Sequence, residues 1–275
     1  MVQKVFGIYR ETSAPCQLTI EAGKEHLACW QTIIESGKIF AFELFRYEKK
    51  QQEEFAPVFD MIKQQSRLLH LYFPDVRIVW QHEICVCVPE ELYNEQAADE
   101  YLNITFGKNN MALTKSTAIG GMILHYRISN AAQNLLQQYF PDATSLHKYH
   151  LLITEWLAKE DDLPADFIQL LFYEHHFILM AVKQSQLQLI NSFNYQTPED
   201  VLYHILNVCE RLAMNKEQTH FHFSGLIDVQ SNLFKELELY MSNMSTSNAP
   251  AEILAADGFQ EFPSHYFSSF LNFFK

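Results

Sequence analysis

No apolar run in the sequence is long enough to cross a bilayer. The longest, Phe177 to Val182, falls far short of the ~20 residues that a spanning helix needs, so no membrane insertion is expected. The first residues, Met1 to Arg10, lack an apolar stretch followed by a small-residue cleavage site, and no secretory leader is expected there. Basic residues are scarce: 20 Lys and Arg face 33 Asp and Glu, a formal charge of −13, and Lys49-Lys50 is the one adjacent basic pair. A field of that sign repels phosphate backbones, and no basic stripe overrides it, so no nucleic-acid partner is expected. The five cysteines, Cys16, Cys29, Cys85, Cys87 and Cys209, are odd in number and lack disulfide-framework or zinc-knuckle spacing. They read as buried thiols in a reducing compartment, which points to a cytoplasmic location.

Common enzyme templates are missing as well. There is no Gly-x-x-x-x-Gly-Lys phosphate loop, no Gly-x-Gly-x-x-Gly fingerprint and no Gly-x-Ser-x-Gly elbow.

What the sequence does have is apolar mass: 48% hydrophobic residues, including 22 Phe and 13 Tyr, in a chain of 275. That suits a globular protein of two lobes. Three strand-like stretches, Gln17 to Glu21, His26 to Ile34 and Lys38 to Tyr47, are separated by the short breaks Ala22 to Glu25 and Glu35 to Gly37, the grammar of an antiparallel meander. Apolar residues at three-and-four spacing predict a helix over Gln51 to Phe73, ended by Pro74-Asp75. Strands at Val76 to Trp80 and Ile84 to Val88 follow, then a helix opened by Pro89-Glu90-Glu91 and running to about Ile104. A strand at Ala118 to Ile128, a helix at Asn130 to Phe140 and a strand near Thr144 to Lys148 complete a first lobe, 1–148. A linker helix, 149–159, leads to a second lobe, 149–275.

The order of elements then repeats. Asp166 to Tyr173, Phe177 to Lys183 and Leu187 to Phe193 predict a second meander, and Thr197-Pro198-Glu199-Asp200 supplies a helix N-terminus for Glu199 to Met214. A strand at Thr219 to Ser224, a helix at Val229 to Met241, a softer stretch at Ser242 to Asn248 and an aromatic-rich closing helix at Pro263 to Phe274 finish the chain. That last helix is a candidate to pack back on the first lobe.

This order resembles the actin-like ATPase superfamily, in which two ribonuclease-H-like lobes, each a mixed sheet flanked by helices, close on a nucleotide. More closely, Leu18-Thr19-Ile20, Pro89-Glu90-Glu91-Leu92-Tyr93 and Pro263-Ser264-His265-Tyr266 resemble an uncharacterised bacterial group, domain-of-unknown-function family 3822. The resemblance implies an α/β actin-like fold and no assigned activity. Active members of the superfamily carry Asp-x-Gly and small residues in the first hairpin of each lobe. Here the first reads Glu21-Ala22-Gly23-Lys24-Glu25 and the second Tyr173-Glu174-His175-His176. Glu21 could mimic the Mg²⁺-side carboxylate and Lys24 reach phosphate, but Glu25 sets a second negative charge beside a polyanion. The second turn has no glycine to expose backbone amides. Phe223-Ser224-Gly225-Leu226 keeps part of the superfamily's adenosine-side turn and also reads as an ordinary turn.

Other chemistry is thinly supplied. His220-x-His222 and Cys85-x-Cys87 each project a pair of metal-ligand types from one strand face without an obvious third ligand. Glu21, Glu43 and Glu83 are the carboxylates available for a two-metal nuclease. Gly120-Gly121, within the strand-like run Ile119 to Tyr126, reads as a β-bulge or packing contact. The expectation is therefore a non-catalytic, pseudo-ATPase scaffold with a protein partner, and with no catalytic, cofactor-binding or metal-binding residues and no cofactor. Its alternatives are an ATP or GTP binder with unorthodox turns and a metal-dependent hydrolase.

Overall fold

The computed structural model describes residues 1–48 and 55–270; Lys49-Lys50, the first residues of the helix expected from Gln51, and Phe273 and Phe274 lie outside them. The chain divides into two compact units. The first comprises 1–154 with 251–261, and the second 155–250 with 262–275.

The first unit is built on a six-stranded sheet. Its strands are β1 (Val2–Tyr9), β2 (Cys16–Ala22), β3 (His26–Ile33), β4 (Ile39–Tyr47), β5 (Asp75–Trp80) and, later in the chain, β9 (Thr144–His147), in the order β1-β4-β3-β2-β5-β9. β1 to β4 pair antiparallel, whereas β5 and β9 join parallel to β2. Every residue of β2 is buried, which is why Leu18-Thr19-Ile20 reads as continuous strand rather than as alternation. The helices of this unit are α1 (Phe55–Gln65), α2 (Ala98–Phe106), α3 (Asn130–Tyr139) and α4 (Lys148–Ala158), the division between units falling inside α4. A second, three-stranded sheet, β6 (Cys85–Pro89), β7 (Ala112–Ile119) and β8 (Met122–Ser129), has the order β6-β8-β7 and is inserted between β5 and α3.

The second unit holds β10 (Phe167–Phe172), β11 (His176–Lys183), β12 (Gln186–Asn194), β13 (His220–Gly225) and β14 (Asn243–Thr246), in the order β12-β11-β10-β13-β14. This is the order β4-β3-β2-β5-β9 of the first unit, with the same antiparallel and parallel pairings. α5 (Pro198–Arg211) and α6 (Asn232–Glu238) complete it. Thr197 caps α5 through a reciprocal capping box with Asp200, as its sequence predicts. The core runs from Ile168, Leu170 and Phe172 through Phe177 and Leu179 to Val201, Ile205, Phe221 and Phe223.

The duplication reaches single hydrogen bonds. In the first unit Tyr47 closes the β2–β3 turn: its N–H donates to Glu25 O (2.9 Å) and its hydroxyl to Gly23 O (2.8 Å). In the second, Tyr195 N–H donates to His175 O (2.9 Å) and its hydroxyl to Tyr173 O (2.9 Å). Each tyrosine follows or ends the third strand of its meander and ties back the tip of the first hairpin. Removing one hydroxyl leaves a turn carbonyl without its donor, so Tyr47→Phe and Tyr195→Phe should each destabilise the protein by about 1–2 kcal/mol in urea unfolding.

Several elements differ from their sequence expectation. The run Ala118 to Ile128 is not one strand with a glycine bulge: Gly120 and Gly121 take φ of +54° and +75° and form the two-residue turn joining β7 to β8. Two successive positive φ values suit a tight hairpin, and glycine adopts them without a Cβ penalty. The helix expected from Pro89 is two short 3₁₀ turns, Glu90–Leu92 and Glu95–Ala97, before α2. The helix expected to Phe73 ends at Gln65, because the Ser66 hydroxyl accepts from Leu69 N–H and turns the chain. β1 and β14 were not expected as strands. The closing segment forms 3₁₀ turns at Ser264–Tyr266 and Ser268–Phe270, with Phe267 and Phe270 buried and His265 Nε2 on Ile227 O (2.8 Å). It packs on β13 of the second unit, whereas 251–261 add to the first through Ile39 N–H on Ile253 O and Ala255 N–H on Ile39 O. No helix among the described residues is long and apolar enough to cross a membrane.

Candidate functional site

The two hairpin turns singled out in the sequence, Glu21 to Glu25 and Tyr173 to His176, occupy equivalent places in the two units. In the first unit, Gly23 N–H donates to His26 O (2.9 Å) and closes the turn. A Cβ built on Gly23 would lie 2.1 Å from Cε1 of His26, so the space in front of the glycine is occupied by an imidazole. Glu21 does not face an open pocket either. Its carboxylate is fully buried and takes a bond from Lys148 Nζ (2.6 Å), at the start of α4, and contacts His26 Nε2 (3.0 Å). Burial alone would raise the Glu21 pKa, but the Lys148 ammonium and His26 outweigh it and hold the carboxyl at about 2. Lys24, the residue that could reach phosphate in the nucleotide-binding alternative, pairs with Glu83 (3.2 Å).

In the second unit the equivalent closing bond runs from Tyr173 N–H to His176 O (2.9 Å), and the Tyr173 and His176 rings stack with centroids 4.6 Å apart. Both side chains are buried, and only Glu174 and His175 of the turn are exposed. The turn is thus packed with two stacked rings and has no glycine. The Ser224-Gly225 phrase is explained by packing: Gly225 has φ +79°, and a Cβ there would sit 2.2 Å from the carbonyl oxygen of Phe172.

The three glutamates of the nuclease alternative do not converge. Glu21 pairs across the ladder with Ala28, whereas Glu43 pairs with the next residue, Cys29, and so projects from the opposite face of the sheet. Glu43 accepts from Lys4 Nζ (2.9 Å), Arg67 N–H (2.8 Å), and the hydroxyls of Tyr9 and Ser66, a set supplied wholly by this chain. Burial pushes its pKa up, but these bonds hold it below the usual carboxylate value. Burial raises the Cys85 thiol well above its ordinary value and Cys87 to about 11, which disfavours the thiolates a metal needs. His222 Nδ1 lies 3.2 Å from Ser245 Oγ. Among the described residues no group of three or more His, Cys, Asp or Glu side chains is arranged to hold a metal.

Lys148 is the residue that sequence reading overlooked, as 127 positions separate it from Glu21. Its neighbour His147 is also fully buried, with Nε2 donating to His82 O (2.9 Å) and Nδ1 accepting from Tyr149 N–H. Burial lowers its pKa to about 4. The unfolded chain takes up a proton at this histidine below pH 6.5, which the folded chain refuses until about pH 4. Glu21 behaves alike between 4.5 and about 2. Stability should therefore fall as pH drops from 6.5 to 4, by up to about 3 kcal/mol from His147, and again from 4.5 to 2. Urea unfolding between pH 7 and pH 3 measures this, and the His147→Gln variant should flatten the upper part of the profile.

Solved structures share this arrangement. A protein of Bacteroides thetaiotaomicron VPI-5482, described as having an actin-like ATPase fold and unknown function, superposes with a TM-score of 0.73 at 18% identity, over 86% of this chain and 91% of that one. The PilM–PilN type IV pilus biogenesis complex gives 0.54 at 11% identity, over 96% and 98%. The ethanolamine utilization protein EutJ from Carboxydothermus hydrogenoformans gives 0.52 at 9%, over 98% and 93%. At these identities the likeness establishes the fold, an actin-like ATPase fold with mixed sheets flanked by helices. A comparison with curated proteins finds no match. A family model matches residues 8–244, and the chain belongs to that family, described as a protein of unknown function (DUF3822).

Proposed function

We propose that this chain is a non-catalytic member of the actin-like fold that acts by binding another protein. The observation that carries the reading is the filled first turn: the His26 ring occupies the space before Gly23, and Glu21 is committed to Lys148. A carboxylate fixed in a buried ion pair does not organise an Mg²⁺ shell, and amides covered by a ring do not reach phosphate. The Tyr173–His176 stack supports the same reading in the second unit. A partner-binding role is compatible with the fold, since a PilM–PilN complex is built on it.

Thermal unfolding with and without nucleotide tests the proposal. A nucleotide present at a hundredfold over its Kd would raise the midpoint by about 5–10 °C. The reading expects no shift with millimolar Mg-ATP or Mg-GTP, and a shift of that size would overturn it.

A further inference from the structure

The Gly120-Gly121 turn sets the β7–β8 register and places Ser116 directly across from His125. A slip of one residue would send Ser116 to the other face of the sheet. α2 lies against β6 and β8. Arg127, two residues beyond His125 and on the same face, ties α2 there by donating to Asn103 Oδ1 (2.7 Å) and Gly107 O (2.7 Å). Asp99, in the first turn of α2, is thereby brought to the His125 ring.

A Ser–His contact across a hairpin is ordinary sheet chemistry, but this one has further features. Ser116 is exposed, whereas His125 beneath it is only 4% exposed. Ser116 Oγ lies 2.8 Å from His125 Nδ1. The other ring nitrogen, Nε2, is buried without a hydrogen-bond partner among the described residues, and the Asp99 carboxylate stands 3.7 Å from it. A carboxylate on that side favours the proton on Nε2, which leaves the Nδ1 lone pair facing Ser116. Ser116 must then donate its one hydrogen to His125, so its oxygen accepts from the Tyr93 hydroxyl (3.0 Å). Exposed hydroxyl, buried base and orienting carboxylate are the three parts of an activated serine.

We infer that Ser116 is an acyl-acceptor site, modified by activated esters or thioesters. Ser116 Oγ attacks the carbonyl carbon; a C–O bond to serine forms as the ester C–O or thioester C–S bond breaks. The serine proton passes to His125 Nδ1 and from there to the departing alkoxide or thiolate, leaving O-acyl Ser116. Burial lowers the His125 pKa, Asp99 raises it and Arg127 lowers it, with burial the largest effect, so the ring is neutral at pH 7 and able to take that proton. The site lies on the inserted three-stranded sheet and involves a single covalent acceptance rather than turnover. It therefore goes beyond the partner-binding reading and does not depend on it.

The full chain treated with p-nitrophenyl acetate, followed by peptide mass spectrometry, tests this. Ser116 should acquire an acetyl group about tenfold or more faster than Ser185, a serine exposed on the β11–β12 turn. His125→Gln, with an unchanged circular dichroism spectrum, should slow that reaction about a hundredfold. In the parent chain the rate should fall as pH drops, with a midpoint below 6.5, and Asp99→Asn should move the midpoint lower still, because it removes the charge that raises the His125 pKa. Ser116 reacting no faster than Ser185, or a folded His125→Gln chain reacting at the parent rate, overturns the inference. If His125→Gln does not fold, the comparison with Ser185 and the Asp99→Asn midpoint decide: an unmoved midpoint overturns it equally.

Discussion

Replacing Lys148 with Met should cost the protein about 3–5 kcal/mol, because Glu21 then stays in the interior with its ammonium partner gone. Both side chains have no solvent exposure, and the Lys148 Nζ to Glu21 Oε2 distance is 2.6 Å. Loss of one partner is the expensive event; loss of both is not. The double variant Glu21→Leu with Lys148→Met replaces the pair with apolar volume and should recover most of the stability, as it removes both desolvation penalties. Urea unfolding of the two single variants and the double gives a cycle whose coupling exceeds about 2 kcal/mol. A Lys148→Met protein as stable as the parent would mean that Glu21 is compensated by other groups. The significance is functional: a carboxylate that holds β2 to the start of α4 is part of the fold, not an open ligand.

Gly225→Ala should be at least as damaging, about 3 kcal/mol or more, and is expected to lower soluble yield. The added methyl would sit 2.2 Å from Phe172 O and 3.0 Å from Phe172 N, and backbone cannot rotate away as a side-chain tip can. Leu226 N–H bonds to that same Phe172 carbonyl (2.8 Å), so the strands cannot separate without losing the bond. Gly121→Ala is the control. Its φ, +75°, is nearly that of Gly225, but nothing lies within 4 Å of its Cβ position, so it carries only the left-handed backbone penalty of about 1 kcal/mol. Similar losses in the two variants would show that φ, not the approach of Phe172, fixes Gly225.

Much of the scaffold was legible because local signals agreed with it. The meanders, the α5 capping box and the repeat of strand order all announce themselves through turn residues and periodicity. The failures have a common cause, namely structure decided by distant partners. Gly120-Gly121 looked like strand interior because Ile119 and Met122 continue the apolar run on either side. β14 lies in a Ser- and Asn-rich stretch and is a strand because β13 offers it a parallel ladder. The aromatic spacing after Pro263 suggested a helix, but Phe267 and Phe270 are buried from short 3₁₀ turns. At the candidate site, the altered chemistry of both turns was readable from Glu21, Lys24 and Tyr173 to His176. What fills them was not: the Lys148 ion pair spans 127 residues, and the filling of the Gly23 space depends on where the His26 ring turns.

We propose that the first turn, closed by the chain's own side chains, grips no nucleotide. Titration calorimetry of Mg-ATP and Mg-GTP into the full chain tests it most directly. The prediction is no heat beyond dilution for either nucleotide; micromolar binding that disappears in Glu21→Ala and Lys24→Ala would contradict it.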